Sequence, residues 1–268
     1  MAKRIALSAL ALLLCVSCAC AELTVERNAG EMYFPDENSW VYHFTYAYPR
    51  IAGDDYTAAL INDTYQMALD EMTQLVLPMF ANAPDMRFDG KNEVKHDFSV
   101  YCNNGALLSI VQVRTQSMGE ETMYSLEPLT FDVHGMYAGE TLTLRGVMMV
   151  LAGVNPEALD DASAEDYPQI AHIINGSSGS MAEELLPALY ERFSQEGIEI
   201  SNPDGFSLED FELEFSASRD FAVGEDGSLL FFFPPMLMRE PGIAAVSYTV
   251  SQIESLLSAL PAATEAAE

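Results

Sequence analysis

Histidine is the residue type in this chain best suited to metal binding or proton transfer. It occurs four times, at His43, His96, His134 and His172. No two of them are three or four positions apart and none has a nearby cysteine, so the spacing typical of a zinc site is absent from the sequence. His96 and Asp97 are adjacent, but neighbours on a strand face opposite sides. The histidines are interpreted as ordinary side chains, and no metal and no cofactor are expected.

Cys102 is the single cysteine after residue 21. A lone cysteine can act as a nucleophile, but no recognisable histidine signature accompanies it, so a small buried side chain is favoured. The chain has 41 acidic residues, so some close carboxylates are expected by chance, and no pair can be assigned as acid and base. We therefore predict no catalytic residue and favour a binding protein over an enzyme.

The predicted binding site is the loop that contains Met236, Leu237, Met238 and Arg239. Two prolines precede it, and because proline cannot donate to a β-ladder, the chain must leave the sheet there. Loops usually lie on the surface. Three large apolar side chains in such a loop either fold back onto the core or form a contact patch, to which methionine is well suited and Arg239 would add a polar rim.

The first 21 residues predict a secretory signal peptide. Lys3 and Arg4 form a positive region, residues 5–16 are apolar, and residues 19–21 read small-x-small. The apolar run is shorter than the roughly 20 residues that span a bilayer. The protein is therefore expected outside the cytoplasm, secreted or at the cell surface, with no transmembrane segment after cleavage.

Cleavage before Glu22 is favoured over lipid attachment at Cys18 or Cys20, because a leucine is missing from the lipobox position before each cysteine. The mature chain then keeps one cysteine and has no internal disulfide. Its fold must rest on an apolar core.

The mature chain is strongly acidic. Loss of Lys3 and Arg4 leaves ten basic residues against 41 acidic ones, a formal net charge of −31. Such a charge repels phosphate backbones, so nucleic acid is excluded as a partner. It would steer cationic partners towards the protein, although solubility alone is a common reason for acidity. With 49% hydrophobic residues, the chain is not a disordered acidic polymer.

The periodicity predicts a strand followed by a long helix. Aromatic residues at a spacing of two mark one strand face that ends at Pro49: Trp40, Tyr42, Phe44, Tyr46 and Tyr48. A helix over residues 54–77 follows, ended by Pro78. Its apolar stripe has steps of three and four: Ile61, Tyr65, Ala68, Met72 and Leu75.

Turn signals predict antiparallel hairpins. Asn104-Gly105 lies within a hairpin over residues 98–113, and Asp226-Gly227 lies within one over residues 213–233. Another strand pair is predicted at residues 130–133 and 142–144. The alternation of Phe211, Leu213 and Phe215 predicts a strand, and residues 243–250 a last one. Shorter helices are predicted at 167–174, 183–193 and 251–257.

Hairpins separated by helices favour an α+β fold, with an antiparallel β-sheet and helices packed on one face. The predicted organisation has four parts: a signal peptide at 1–21, an N-terminal α+β subdomain at 22–159, a C-terminal α+β subdomain at 160–260 and a disordered tail at 261–268.

The order of three motifs resembles one family of bacterial extracytoplasmic domains. In the first motif, residues 48–53 read Tyr-Pro-Arg-Ile-Ala-Gly and precede a helix with Ile61-Asn62. In the second, residues 131–144 contain Phe-Asp-Val, a glycine and Leu-Thr-Leu. In the third, residues 221–242 contain an Asp-Gly hairpin and a proline-containing loop. This order is similar to the domain of RsiV-type, lysozyme-responsive anti-sigma factors and to the region before the catalytic domain of PdaC-type peptidoglycan deacetylases. The likeness spans about residues 40–257.

The chain also departs from that family. Residues 117–121 stand where the family has Gly-Gly-Ala-His, and the last loop lacks the family's tyrosine and glutamate. Ligand contacts made by those groups therefore cannot be transferred. The resemblance implies a stand-alone, non-catalytic binding module of the bacterial envelope, whose partner is a basic extracellular protein, lysozyme being the family's example, or cell-wall peptidoglycan. Two alternatives remain: a glycan- or peptide-processing hydrolase with an unrecognised carboxylate site, and a structural envelope protein.

Overall fold

The computed structural model describes residues 22–82, 90–118, 121–201, 206–240 and 242–259. The predicted signal peptide and tail lie outside these residues. A five-stranded sheet, a three-stranded sheet and several helices confirm the predicted α+β class. The strands are β1 (Val25–Phe34), β2 (Tyr42–Ile51), β3 (Asn92–Asn103), β4 (Leu107–Met118), β5 (Glu121–Asp132), β6 (Phe221–Val223), β7 (Leu229–Phe232) and β8 (Ala245–Tyr248). The α-helices are α1 (Tyr56–Asp70), α2 (Leu77–Asn82), α3 (Leu144–Leu151), α4 (Ala171–Asn175), α5 (Ser178–Gln195), α6 (Leu208–Glu214) and α7 (Val250–Ala259).

The larger sheet follows the chain order from β1 to β5. Its pairings are antiparallel except that of β2 with β3, which is parallel. The long helical segment between β2 and β3 is a crossover of the kind that parallel strands require, and a purely antiparallel sheet would not have contained it. The predicted hairpin at 98–113 is confirmed as part of β3 and β4, and Gly105 supplies the positive φ of its turn.

The long helix packs on one face of this sheet. Asp55 caps α1 by accepting a hydrogen bond from the Ala58 N–H, and Ile61 and Tyr65 are buried as predicted. Leu75, however, is 59% exposed. A π-helical turn over Glu71–Val76 joins α1 to α2, and its wider turn shifts the residues that follow out of the 3.6-residue stripe.

The predicted end at Pro78 was also wrong, because the helical segment continues to Asn82. Pro78 lies inside this continuous segment, directly after the wider π turn that ends at Val76. Leu77 and Ala81 are buried instead of Leu75. The π turn and α2 thereby become one wall of a groove above the sheet.

One predicted strand is a helix, and another consists of the residues that lead into a helix. Residues 208–214 form α6, because Ser207 and Asp210 make a capping box at its start. Phe211 and Phe215 are four residues apart and therefore lie on one side of the helix, where their ring centroids are 4.6 Å apart. Leu213 is 80% exposed. Leu144 begins α3, which Thr143 caps, so the predicted pairing of 130–133 with 142–144 is reduced to a single bridge from Phe131 to Thr141.

The smaller sheet, in the order β6-β7-β8, contains the predicted Asp-Gly hairpin, which is shorter than expected. It packs with α3, α5, α6 and α7 in a separate core. It also contacts the face of the larger sheet opposite the long helix, where Val111, Ala222 and Phe232 form a small cluster. The Val223 N–H donates to Ser109 Oγ at 3.0 Å and ties the two sheets together.

Candidate functional site

A polar stripe interrupts the core-facing side of the larger sheet. Along β4, Leu108 and Ile110 are fully buried beneath the long helix. Gln112, Arg114 and Gln116 continue the same face, because side chains at a spacing of two share one side of a strand. A face made only for packing would stay apolar. We name the space between this stripe and the helical segment at residues 56–82 the helix–sheet groove.

One end of the groove is apolar. A cavity of about 480 Å³ lies there, between the π turn with α2 and strands β2 to β5. Its apolar walls include Met72, Phe80, Val94 and Met123, and its polar lining residues include His96, Arg114 and Gln116. These residues were not predicted as a site from the sequence. Polar residues at a spacing of two in an otherwise apolar strand could have indicated a polar patch on its core-facing side.

Met236 is the member of the predicted binding loop that reaches this end of the groove. It lies in a 3₁₀ turn at Pro235–Leu237 and is 64% exposed. Leu237 and Met238 are half-buried and pack against the core around the smaller sheet. Arg239 is exposed, and its N–H donates to the Glu199 carbonyl at 2.8 Å. The structure thus places only Met236 in the groove, and a contact role for the four residues stays a prediction.

The other end of the groove is polar. A cleft of about 590 Å³ lies between α1, strands β4 and β5 and the loop after β5. The buried side chains of Tyr65 and Gln112 belong to its lining, together with three carboxylates, those of Glu71, Glu127 and Glu140. We name this part the polar cleft.

An ion pair between Arg114 and Glu127 separates the apolar end from the polar cleft. The Arg114 side chain is about one-third exposed, and its Nε atom is buried without a hydrogen-bond partner among the described residues. The pair lies between the two ends of the groove, because Arg114 lines the apolar end and Glu127 lines the polar cleft.

A buried histidine and tyrosine lie beneath the ion pair. The Tyr48 hydroxyl and His96 Nδ1 are hydrogen-bonded at 2.6 Å. Burial, with a smaller effect from the Arg114 charge, lowers the pKa of His96 to about 3, and burial raises the pKa of Tyr48 to about 12. Both groups are therefore neutral near pH 7, and the pair stabilises the floor of the groove without a net charge.

Other features tested for chemistry show no assembled centre in the part of the chain that the structure describes. No group of three or more histidine, cysteine, aspartate or glutamate side chains is arranged to hold a metal ion there. Cys102 is buried, and burial raises the pKa of its thiol. None of the described helices combines the length and apolar character needed to cross a membrane.

The fold and the groove together define an α+β protein with a solvent-open groove between its long helix and its larger sheet. No protein-family model and no curated protein matches the chain. Two solved structures of DUF3298 family proteins are similar to it. One is from Bacteroides fragilis, with 12% identity, a TM-score of 0.45, and coverage of 87% of this chain and 97% of that one. The other is from Pseudomonas aeruginosa, with 12% identity, a TM-score of 0.44, and coverage of 86% and 91%.

Proposed function

We propose that this protein is a non-catalytic binding module of the bacterial envelope, exported by its predicted signal peptide. Its partner is a basic extracellular protein that places apolar side chains in the apolar end of the helix–sheet groove. The observation that carries the proposal is the methionine-rich wall of that end, to which Met72, Met123 and Met236 contribute from three separate elements. Flexible methionine side chains are typical of adaptable contact surfaces.

Exposure at the groove supports this role. Met236 and Met123 are 64% and 43% exposed although they line an apolar cavity of about 480 Å³. Clustered exposed apolar side chains beside a concave apolar surface are typical of a contact site. The π turn that carries Met72 adds a second argument, since π turns within helices are frequent at functional sites.

The charge of the chain favours a basic partner. A formal net charge of −31 in the mature form attracts cationic proteins over long distances and accelerates encounter. The groove would then supply the short-range apolar contacts. Association should therefore weaken as salt rises, because salt screens the long-range attraction.

Calorimetric titration of the protein with lysozyme, used as a basic probe, tests the proposal. We expect saturable binding that weakens as salt is raised, and Met236→Ser should weaken it about tenfold, the effect of losing roughly 1.4 kcal/mol of contact energy. Met136→Ser is the matched control, because Met136 is 66% exposed but does not line the groove. An equal effect of both substitutions, or no saturable binding of the probe at low salt, would contradict the proposal.

A further inference from the structure

The polar cleft contains two buried polar groups that no described residue satisfies by hydrogen-bond geometry. Tyr65 is 3% exposed and Gln112 is 1% exposed, and both line the cleft. Within the described chain, neither the Tyr65 hydroxyl nor Gln112 Nε2 has a hydrogen-bond partner. Gln112 also interacts with the Tyr48 hydroxyl, and this contact opposes the burial that raises the pKa of Tyr48. Its Nε2 nevertheless meets no described partner at full hydrogen-bond geometry. Leaving a buried donor unpaired is unfavourable, so two in one cleft indicate an external partner.

The rim of the cleft has the opposite hydrogen-bonding character. The carboxylates of Glu71, Glu127 and Glu140 accept hydrogen bonds but cannot donate them when ionised. Glu71 and Glu140 are exposed, and Glu127 is held in place by Arg114. A ligand must therefore present acceptors to the floor and donors to the rim.

These requirements exclude two ligand classes. An anion would satisfy the Gln112 amide but would be repelled by three carboxylates. An ammonium group would satisfy the carboxylates, but it has no acceptor for the Gln112 donor. A hydroxyl group both donates and accepts, so several hydroxyls on one molecule meet both requirements without a net charge. The apolar side chains of Leu60 and Leu129 also line the cleft and could contact a C–H face.

We propose that the polar cleft binds a neutral saccharide ring, with hydroxyl oxygens accepting from Gln112 and Tyr65 and other hydroxyls donating to the rim carboxylates. The cleft volume of about 590 Å³ is within the usual range for small-molecule sites, about 300–1,000 Å³. This site is separate from the apolar end, and its ligand does not depend on the proposed protein partner.

A nuclear magnetic resonance titration tests the site directly. The side-chain amide of Gln112 gives its own nitrogen–proton signals in ¹⁵N-labelled protein, so a ligand at the floor of the cleft must shift them. The probe is methyl β-D-glucopyranoside, and its comparisons are glucuronate and the non-sugar diamine putrescine. We expect saturable shifts at Gln112 with the neutral glucoside and none with glucuronate. Shifts that putrescine produces as strongly as the glucoside, or no shift with the glucoside, would overturn the proposal.

Substitutions at the floor separate binding from folding. Tyr65→Phe removes a hydroxyl with no partner among the described residues, and Gln112→Met replaces the amide with an apolar side chain of similar length. Each should weaken glucoside binding about tenfold, whereas the melting temperature of Tyr65→Phe should not fall. Gln116→Met, on the same strand face at the apolar end, is the matched control.

The two proposals fail independently. Met236→Ser should leave glucoside binding unchanged, and Tyr65→Phe should leave lysozyme binding unchanged. Unchanged glucoside affinity in both Tyr65→Phe and Gln112→Met would place the saccharide elsewhere and refute the site.

Discussion

The side chain of Asn62 holds the main chain of Ile51 with two hydrogen bonds. The Ile51 N–H donates to Asn62 Oδ1 at 2.7 Å, and Asn62 Nδ2 donates to the Ile51 carbonyl at 2.9 Å. Ile51 is the last residue of β2 and Asn62 lies in the middle of α1, so this pair fixes the helix above the sheet. The width of the helix–sheet groove depends on that placement.

Replacement of Asn62 by leucine should destabilise the protein by about 2–4 kcal/mol, because two buried main-chain groups of Ile51 would lose their partners. Asn62→Asp should also destabilise the protein, since one carboxylate oxygen can still accept from the Ile51 N–H but the other would face the Ile51 carbonyl oxygen without a donor. Gln66→Leu, one turn later on an exposed position, is the control and should stay within about 0.5 kcal/mol. Urea unfolding gives all three values. A cost at Asn62 no greater than that at Gln66 would mean that the pair does not hold the helix.

Local signals in the sequence were sufficient for the hairpin of β3 and β4 and for the burial of Ile61 and Tyr65. Asn-Gly between two alternating runs strongly favours a hairpin turn, and a capped apolar stripe with a 3.6-residue period strongly favours a helix. Leu75 was misplaced because the π turn changes the period within the helix, and no residue type marks such a turn. Phe211 was misplaced because its spacing from Phe215 fits a strand and a helix equally, and the capping box decided between them.

The groove was harder to predict than the elements around it. Gln112 and Arg114 lie on the same strand, and their shared face follows from the sequence alone. Their position opposite Glu71 depends on the crossover that makes β2 and β3 parallel, which no local pattern specifies. Met236 reaches the groove from a loop more than a hundred residues later, through packing of the two sheets.

Gly139 sets the distance between α1 and the loop that carries Glu140. It has φ +91°, and a Cβ atom there would lie 2.8 Å from the Leu60 Cβ and 3.1 Å from the Thr57 carbonyl. Gly139→Ala should therefore cost about 1–3 kcal/mol for the backbone conformation, with a further loss from the contact. Gly153→Ala is the matched control, since its φ is +88° with no atom within 4 Å of the added Cβ among the described residues. Equal unfolding free energies for the two variants would show that α1 and the loop can move apart to accommodate the Cβ at residue 139 without loss of stability.

His96 should make stability depend on pH just below neutrality. The unfolded chain binds a proton at this side chain near pH 6.5, whereas burial keeps the native imidazole neutral down to about pH 3. Between these values the unfolded state holds more protons, so the free energy of unfolding falls as pH falls, by at most about 1.4 kcal/mol per pH unit. His96→Gln should show a shallower slope between about pH 7 and pH 5.5. Parallel slopes in the original protein and this variant would exclude His96 as the cause.

Asp132 gives the opposite dependence at lower pH. It is fully buried, its Oδ1 accepts from the His134 N–H at 3.0 Å, and its Oδ2 has no partner among the described residues. Burial raises the pKa of this carboxyl, so the native state binds the proton more tightly than the unfolded chain does. Stability is therefore lost as pH rises from the unfolded value of about 3.9 through the higher native pKa.

Asp132→Asn keeps the acceptor for the His134 N–H and removes the buried charge. At pH 7 it should be at least as stable as the original protein, and this advantage should shrink at about pH 3.5, where the native aspartate is protonated. Asp132→Ala lacks the acceptor and should cost about 1 kcal/mol or more at either pH. Urea unfolding at low protein concentration measures these differences. A large loss of stability in Asp132→Asn at pH 7 would show that the ionised carboxylate is stabilised in the native protein, contrary to its raised pKa.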